Sequence, residues 1–273
     1  MTNVERLLQA RYGNETPAFS GGVASVIETA LNHRSVRNFT SSELPDGTLE
    51  RLTAAAQSAA TSSNLQSFSI IAIADPARKS EVATLCGDQE FIRQAPLFLL
   101  FCADLSRLSF VSVAEGLPGE ALDYLEMFLI GCVDASLAGQ NTALSAESMG
   151  LGICYVGAAR NRPIELAALL NFPKKVFALF GMAIGFPAEN STAQVKPRLG
   201  QSEILHHEVY SSELREEQIG HYDSIMQAAY EAQGRPGIGT WSHHTAKRVA
   251  TAESLNGRHT LSESLKQLGF EFK

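Results

Sequence analysis

The 273-residue sequence predicts a helix-rich α/β or α+β protein built on one central sheet, and three observations carry that expectation. Apolar runs at 68–74 and 97–103 have the length of buried strands. Stretches of helical period separate them. From about 119 to 149, Leu122, Leu125, Leu129, Val133, Leu137 and Leu144 recur at helical spacing over more than one face. With 45% hydrophobic and 19% charged residues and no repeat or low-complexity segment, one compact unit is expected.

In order along the chain, residues 4–11 read as a short helix, 12–22 as a loop and 23–32 as a second helix, with Val23, Ile27 and Leu31 at four-residue spacing. Pro45-Asp46-Gly47 opens a helix to about Ala60, with Asp46 as its N-cap and Leu49, Leu52 and Ala56 along one face. Thr61-Ser62-Ser63-Asn64 then favours a turn, because each side chain competes for nearby backbone groups. A helical stretch holding Cys86-Gly87-Asp88-Gln89 links the first two strands. The long helix that Gly150 ends exceeds the usual length in a globular domain, and its apolar girth predicts burial against a second chain as well as its own core. A homodimer is therefore expected. Strands at 151–156 and 176–185 flank a helix at 163–170, and a helix over 213–233, a flexible loop at 234–239 and a mostly helical segment at 241–268 complete the chain.

A net charge of −7 disfavours nucleic acid and anionic membranes, since both reward a basic surface. Residues 1–10 are polar and amphipathic rather than a signal peptide, and the apolar run at 97–102 is too short to span a bilayer. A cytoplasmic protein is expected. Cys86, Cys102, Cys132 and Cys154 are widely spaced and read as reduced thiols; the pairs His206-His207 and His243-His244 are adjacent, which is not metal-ligand spacing. No metal is expected. Tyr155 follows Gly150-Leu151-Gly152 where a dinucleotide fingerprint needs its third glycine, and the P-loop, nucleophile-elbow and zinc-peptidase motifs are absent.

Against this acidic background, His33-Arg34-Ser35-Val36-Arg37-Asn38-Phe39 gathers cations, a hydroxyl and backbone N–H groups, which is the inventory a phosphate monoester needs. Lys196-Pro197-Arg198 repeats the theme much later. Taken singly, each motif reads equally well as a solvated turn or, for Tyr155, as core.

In order and spacing, these segments resemble the FMN-dependent nitroreductase family, in its larger branch of oxygen-insensitive NADPH nitroreductases and NADPH-flavin oxidoreductases. The likeness runs from about Ile27 to Tyr210 and rests on the 33–39 motif, Ser62-Ser63-Asn64-Leu65-Gln66, Gly150-Leu151-Gly152 with Tyr155-Val156-Gly157, Leu179-Phe180-Gly181 with Gly185-Phe186-Pro187, and Lys196-Pro197-Arg198. It implies an α+β fold with a central mixed sheet surrounded by helices, as a domain-swapped homodimer holding two FMN molecules at its interface. The chain would be a single such domain over 1–273, with an N-terminal extension at 1–25 and a C-terminal helical excursion at 211–273. By the same resemblance, His33, Arg34, Ser35 and Arg37 hold the FMN phosphate and Lys196 and Arg198 close over it. Ser62, Ser63, Asn64 and Gln66 meet the ribityl chain or ring edge from the partner subunit. Gln89 reads the pyrimidine side, and Tyr155, Val156 and Gly157 bring main-chain N–H groups to the reactive ring nitrogen. Arg235 and Phe110 are the candidates for the NAD(P)H and substrate face, with NADPH or NADH as donor. The implied activity is two-electron, ping-pong reduction of nitroaromatics, quinones or flavins, the chemistry residing on FMN. The alternative is an FMN carrier or redox-responsive module without xenobiotic turnover.

Overall fold

The computed structural model describes residues 2–13, 23–213 and 215–273. In chain order the helices are α1 (Asn3–Tyr12), α2 (Ser25–Leu31), α3 (Thr48–Gln57), α4 (Pro76–Leu85), α5 (Glu90–Gln94), α6 (Ser106–Ala114), α7 (Leu125–Ser148), α8 (Pro163–Leu169), α9 (Gln201–Ile204), α10 (Arg215–Ala232), α11 (Trp241–Arg248) and α12 (Leu261–Gln267). The strands are β1 (Phe68–Ile73), β2 (Leu97–Asp104), β3 (Gly152–Val156) and β4 (Val176–Gly185). Backbone proximity divides the chain into two units, Met1–Arg34 with Gln194–Leu255, and Ser35–Ala193 with Asn256–Lys273.

The second unit carries the sheet, in the order β1-β2-β4-β3 with every ladder antiparallel. Ser35 adds an isolated parallel bridge to Ile153 of β3, which makes the pairing mixed. Every residue of β2 is buried, as an unbroken apolar run requires of a strand covered on both faces. β2 and β4 approach so closely at Gly181 that a Cβ there would lie 2.2 Å from the Phe98 ring.

Helix α7 packs on this sheet with an unusual division of labour. Its buried side is made of small residues, Gly131, Ala135, Ala138, Gly139, Ala143 and Ala146 among them. A Cβ on Gly139 would stand 2.6 Å from the Phe180 ring, so a larger residue would push the helix off the sheet. The large residues point the other way: Leu125, Leu129, Val133 and Leu137, four apart and thus on one stripe, are 42–54% exposed. The leucine pattern that marks the helix in the sequence is therefore mostly its outer face. The helix begins at Leu125 rather than near 119 because residues 120–123 form a separate 3₁₀ turn after Gly119, whose φ is +64°.

Several other boundaries differ from expectation for local reasons. Asp46 does not cap α3; the N-cap is Gly47 at φ +74°, and Thr48 donates its hydroxyl to the Pro45 carbonyl at 2.6 Å. Residues 86–89 are not helical but join α4 to α5, because Gly87 and Asp88 both take positive φ, +80° and +54°. Residues 234–239 hold one 3₁₀ turn, Pro236–Ile238, and 241–268 is α-helical only at its two ends. Of the loop expected at 12–22, residues 14–22 lie outside the described residues. The C-terminal residues fold back onto their own unit: Phe270 is buried with its ring 5.1 Å from Phe128, and Lys273 pairs with Asp123 at 2.8 Å.

In the first unit, α1 opens with a capping box between Thr2 and Glu5 and buries Leu7, Leu8 and Arg11. Helix α10 buries Tyr222 and Met226, and Tyr222 meets the Trp241 ring edge-on at 5.4 Å. Among the described residues, no helix is long and apolar enough to cross a membrane.

Candidate functional site

Two basic stretches far apart in sequence meet in the first unit, and a residue from α1 joins them. The Arg11 guanidinium, 6% exposed, donates to the Leu31 carbonyl at 2.7 Å, the His33 carbonyl at 3.3 Å and the Lys196 carbonyl at 3.2 Å. In return, the Arg198 N–H bonds the Arg11 carbonyl at 2.8 Å. The phenol of Tyr222 pins the same loop by donating to the Pro197 carbonyl at 3.0 Å. His33 and Arg34 are half-buried, whereas Lys196 and Arg198 are exposed, with Arg198 leaning on the Pro197 carbonyl at 3.1 Å. Arg198 also lines a cavity of about 580 Å³ with Tyr12, Tyr222 and Trp241. Arg235 is exposed just beyond α10, its N–H bonded to the Tyr230 carbonyl at 2.9 Å.

The rest of the 33–39 motif continues into the second unit as an extended strip. Val36 donates to the Ile153 carbonyl at 2.9 Å, and Val36 and Phe39 are buried while Arg37 stays exposed. A Cβ on Gly152 would meet Val36 at 2.7 Å, so the glycine before Ile153 is what lets the strip lie flat on β3.

The 62–66 turn presents Ser62, Ser63, Asn64 and Gln66 as exposed side chains on a contorted backbone, with φ of +49°, +55° and +50° at Ser63, Asn64 and Gln66. Left-handed non-glycine residues cost energy and persist only where the surroundings impose them. Here the constraint is Asp134 of α7. It is fully buried, and its two oxygens accept the Ser62 N–H at 3.1 Å and the Ser67 N–H at 2.9 Å. Gln66, Phe68 and Arg107 border a groove of about 620 Å³ on this side, and Arg107 donates to the Gln66 carbonyl at 2.7 Å.

Gln89 sits at the N-cap position of α5, half-buried, with its amide donating to the Cys86 carbonyl at 3.0 Å. Arg93 stiffens that turn through Asp88, and through Glu90 at 3.2 Å. Tyr155 and Val156 lie inside β3, paired with Met182 and Gly181. The Tyr155 ring packs edge-on against Phe180 at 5.3 Å, and burial, then the nearby Glu147, raises its pKa. Its ring thus packs against the core, while its hydroxyl donates to Gln140 Oε1 at 3.3 Å. Gly157 opens a 3₁₀ turn, and two guanidiniums converge on it: a Cβ there would stand 3.4 Å from Arg160 Nη2 and 3.8 Å from Arg258 Nη1. Desolvation, then the charge of Arg258, lowers the pKa of Arg160, while Cys132 opposes. Phe110 on α6 is 74% exposed.

Arg11, Asp134, Arg160 and Arg258 are absent from the residues singled out in the sequence. Only Asp134 leaves a local sign, a lone carboxylate in an otherwise apolar helical run. Arg11 and Arg258 act over distances in sequence that periodicity does not report, and Arg160, three residues past Gly157, stands in a turn that no motif marks.

This fold, with basic strips, a strained hydroxyl-rich turn and a glycine flanked by guanidiniums, matches one family over most of the chain. The nitroreductase family matches residues 30–186, and its C-terminal domain matches 196–273. The chain belongs to the nitroreductase family. It is 42% identical over 188 residues to the FMN reductase (NADPH) of Bacillus subtilis, covering 68% of this chain and 75% of that protein. The NADPH-flavin oxidoreductase of Vibrio harveyi is 37% identical over 227 residues, 83% of this chain and 91% of its own. Among solved structures, the NfrA1 nitroreductase of B. subtilis superposes with a TM-score of 0.84 at 36% identity, covering 91% of this chain and all of that one.

Proposed function

We propose that this chain is an FMN-dependent NAD(P)H oxidoreductase that reduces nitroaromatics, quinones or flavins, working as a cytoplasmic homodimer. The observation that carries this reading is the joining of the His33-Arg34 and Lys196-Arg198 segments around one buried guanidinium, in a member of a family whose relatives are named for NADPH and flavin. The donor set fits FMN. A dianionic phosphate on a chain of net charge −7 needs local cations, and each charge-assisted bond contributes about 1.5–3 kcal/mol.

FMN, when bound, would supply the redox chemistry, a two-electron hydride relay from NAD(P)H to the oxidant. The chain's residues hold, orient and expose it. His33, Arg34, Lys196 and Arg198, which the first unit gathers, take the phosphate. Ser62, Ser63, Asn64 and Gln66 bond the ribityl hydroxyls or ring edge of the partner's cofactor. Gln89 reads the pyrimidine amides, and the main chain at Tyr155, Val156 and Gly157 approaches the reactive nitrogen, with Gly157 leaving room where a Cβ would crowd Arg160. Arg160 and Arg258 supply positive charge beside Gly157, which favours electron-rich states of a ring placed there. Phe110, 74% exposed on α6, serves the face open to nicotinamide and oxidant. One face for two substrates forces them to alternate.

The outward stripe of α7 supports the dimer, since four large apolar residues in a row on one helix face are an interaction surface by size and pattern. The test is anaerobic addition of NADPH, then NADH, to the flavin-loaded protein, followed by initial rates with a nitroaromatic. Rapid bleaching of the flavin absorbance and parallel reciprocal plots are expected. A bound flavin that neither donor bleaches overturns the enzyme in favour of a carrier.

A further inference from the structure

Helix α1 lies outside both family matches, which begin at residues 30 and 196, yet it supplies the side chain that joins the two basic segments. Arg11 suits that task on chemical grounds. A guanidinium presents several N–H donors in a rigid planar fork, so one side chain can bond three carbonyls from two chain segments at once, which a flexible ammonium does less well. The contact is mutual, because the Arg198 N–H returns to the Arg11 carbonyl at 2.8 Å. Two buried leucines, Leu7 and Leu8, anchor the helix itself, and the capping box at Thr2 and Glu5 secures its start.

We propose that Arg11 is a positioning residue for the phosphate end of the cofactor: it sets the backbones of His33 and Lys196 so that Arg34, Lys196 and Arg198 are presented together. The inference rests on the reading that these cations hold the phosphate. Arg11 does not itself touch the cofactor in this account; its side chain is committed to carbonyl oxygens. The brace thus comes from a helix outside the residues matched by the family models, and the subsite it serves lies inside them.

The test compares FMN with riboflavin, which lacks only the phosphate. Flavin-free Arg11→Gln, Arg11→Lys and Arg198→Ala proteins are titrated with each ligand by flavin fluorescence, after circular dichroism has confirmed folding. Arg198→Ala should weaken FMN by about tenfold or more and riboflavin by less than about twofold. If it weakens both alike, the phosphate reading itself fails, and the brace with it. Given that control, Arg11→Gln should also weaken FMN about tenfold with riboflavin within about twofold, and Arg11→Lys should fall between. A merely structural Arg11 would lower both affinities by one factor, and that result, or FMN affinity unchanged, overturns the proposal. Should Arg11→Gln fail to fold, Arg11→Lys carries the same comparison with the charge retained.

Discussion

Asp134 has no cation beside it in the hydrogen bonds it makes; its carboxylate is satisfied by the two backbone N–H groups of Ser62 and Ser67. Replacing it with Asn keeps the volume but turns one acceptor into a donor facing an N–H. We expect Asp134→Asn to cost about 1–3 kcal/mol, read as a lower urea midpoint, and to speed amide exchange at Ser62 and Ser67. Unchanged exchange at those amides would show that the turn holds itself. A second residue gives an acid signature. Hydrogen bonds from Lys175, then Lys273, hold Asp123 down from 3.8 to about 2. A depressed carboxylate contributes stability above its unfolded pKa and loses it as pH falls through the folded one. Thermal unfolding should therefore lose stability between about pH 4 and pH 2, and Asp123→Asn should flatten that limb; equal slopes for both proteins would rule the pair out as a contributor. Legibility at this scale was uneven. Ser62 to Gln66 announce themselves by polar composition at a turn, and the structure does present them on one, whereas Gln89, read inside a helical stretch, sits on the turn before α5. Tyr155 looked equally like a ligand or core, and its ring went to Phe180. Arg11 could not be found from spacing, because its partners are 20, 22 and 185 residues away.

At the scale of elements, the strands were the easiest to read, since β1, β2 and β4 coincide with apolar runs whose length decides between strand and helix. Helix ends were harder. They depend on single backbone angles such as Gly47, Gly87 and Asp88 at positive φ, which the residue type permits but does not dictate. Helix α7 shows the subtler limit: a hydrophobic stripe marks a buried surface without saying what buries it. The small residues carry the packing on the sheet, and Gly139 is its closest point. Gly139→Ala forces a methyl group to within 2.6 Å of Phe180, so a loss of about 1–3 kcal/mol is expected in chemical denaturation. If the variant is as stable as the parent, α7 has more slack against the sheet than the geometry allows.

For the whole molecule, the acidic balance and the local cations must be considered together. Net charge −7 disfavours polyanions, and if Arg34, Lys196 and Arg198 meet a cofactor phosphate as proposed, cofactor affinity should fall as salt rises. In the proposed dimer, the outward stripe of α7 is the pairing surface. If the chain pairs there, Val133, 54% exposed at the stripe's centre, changed to Glu should give a monomer in light scattering, with stability of the isolated fold little altered because the side chain is more than half exposed. A Val133→Glu protein that remains dimeric would place the interface elsewhere.

One helix thus carries an exposed apolar stripe on its outer face and, on its inner one, a carboxylate that tethers the hydroxyl-rich turn. If chains pair through the outer face, as proposed, pairing steadies α7 and the turn tethered to it, so freshly made polypeptide should emerge pale at high dilution and acquire flavin colour only as it is concentrated.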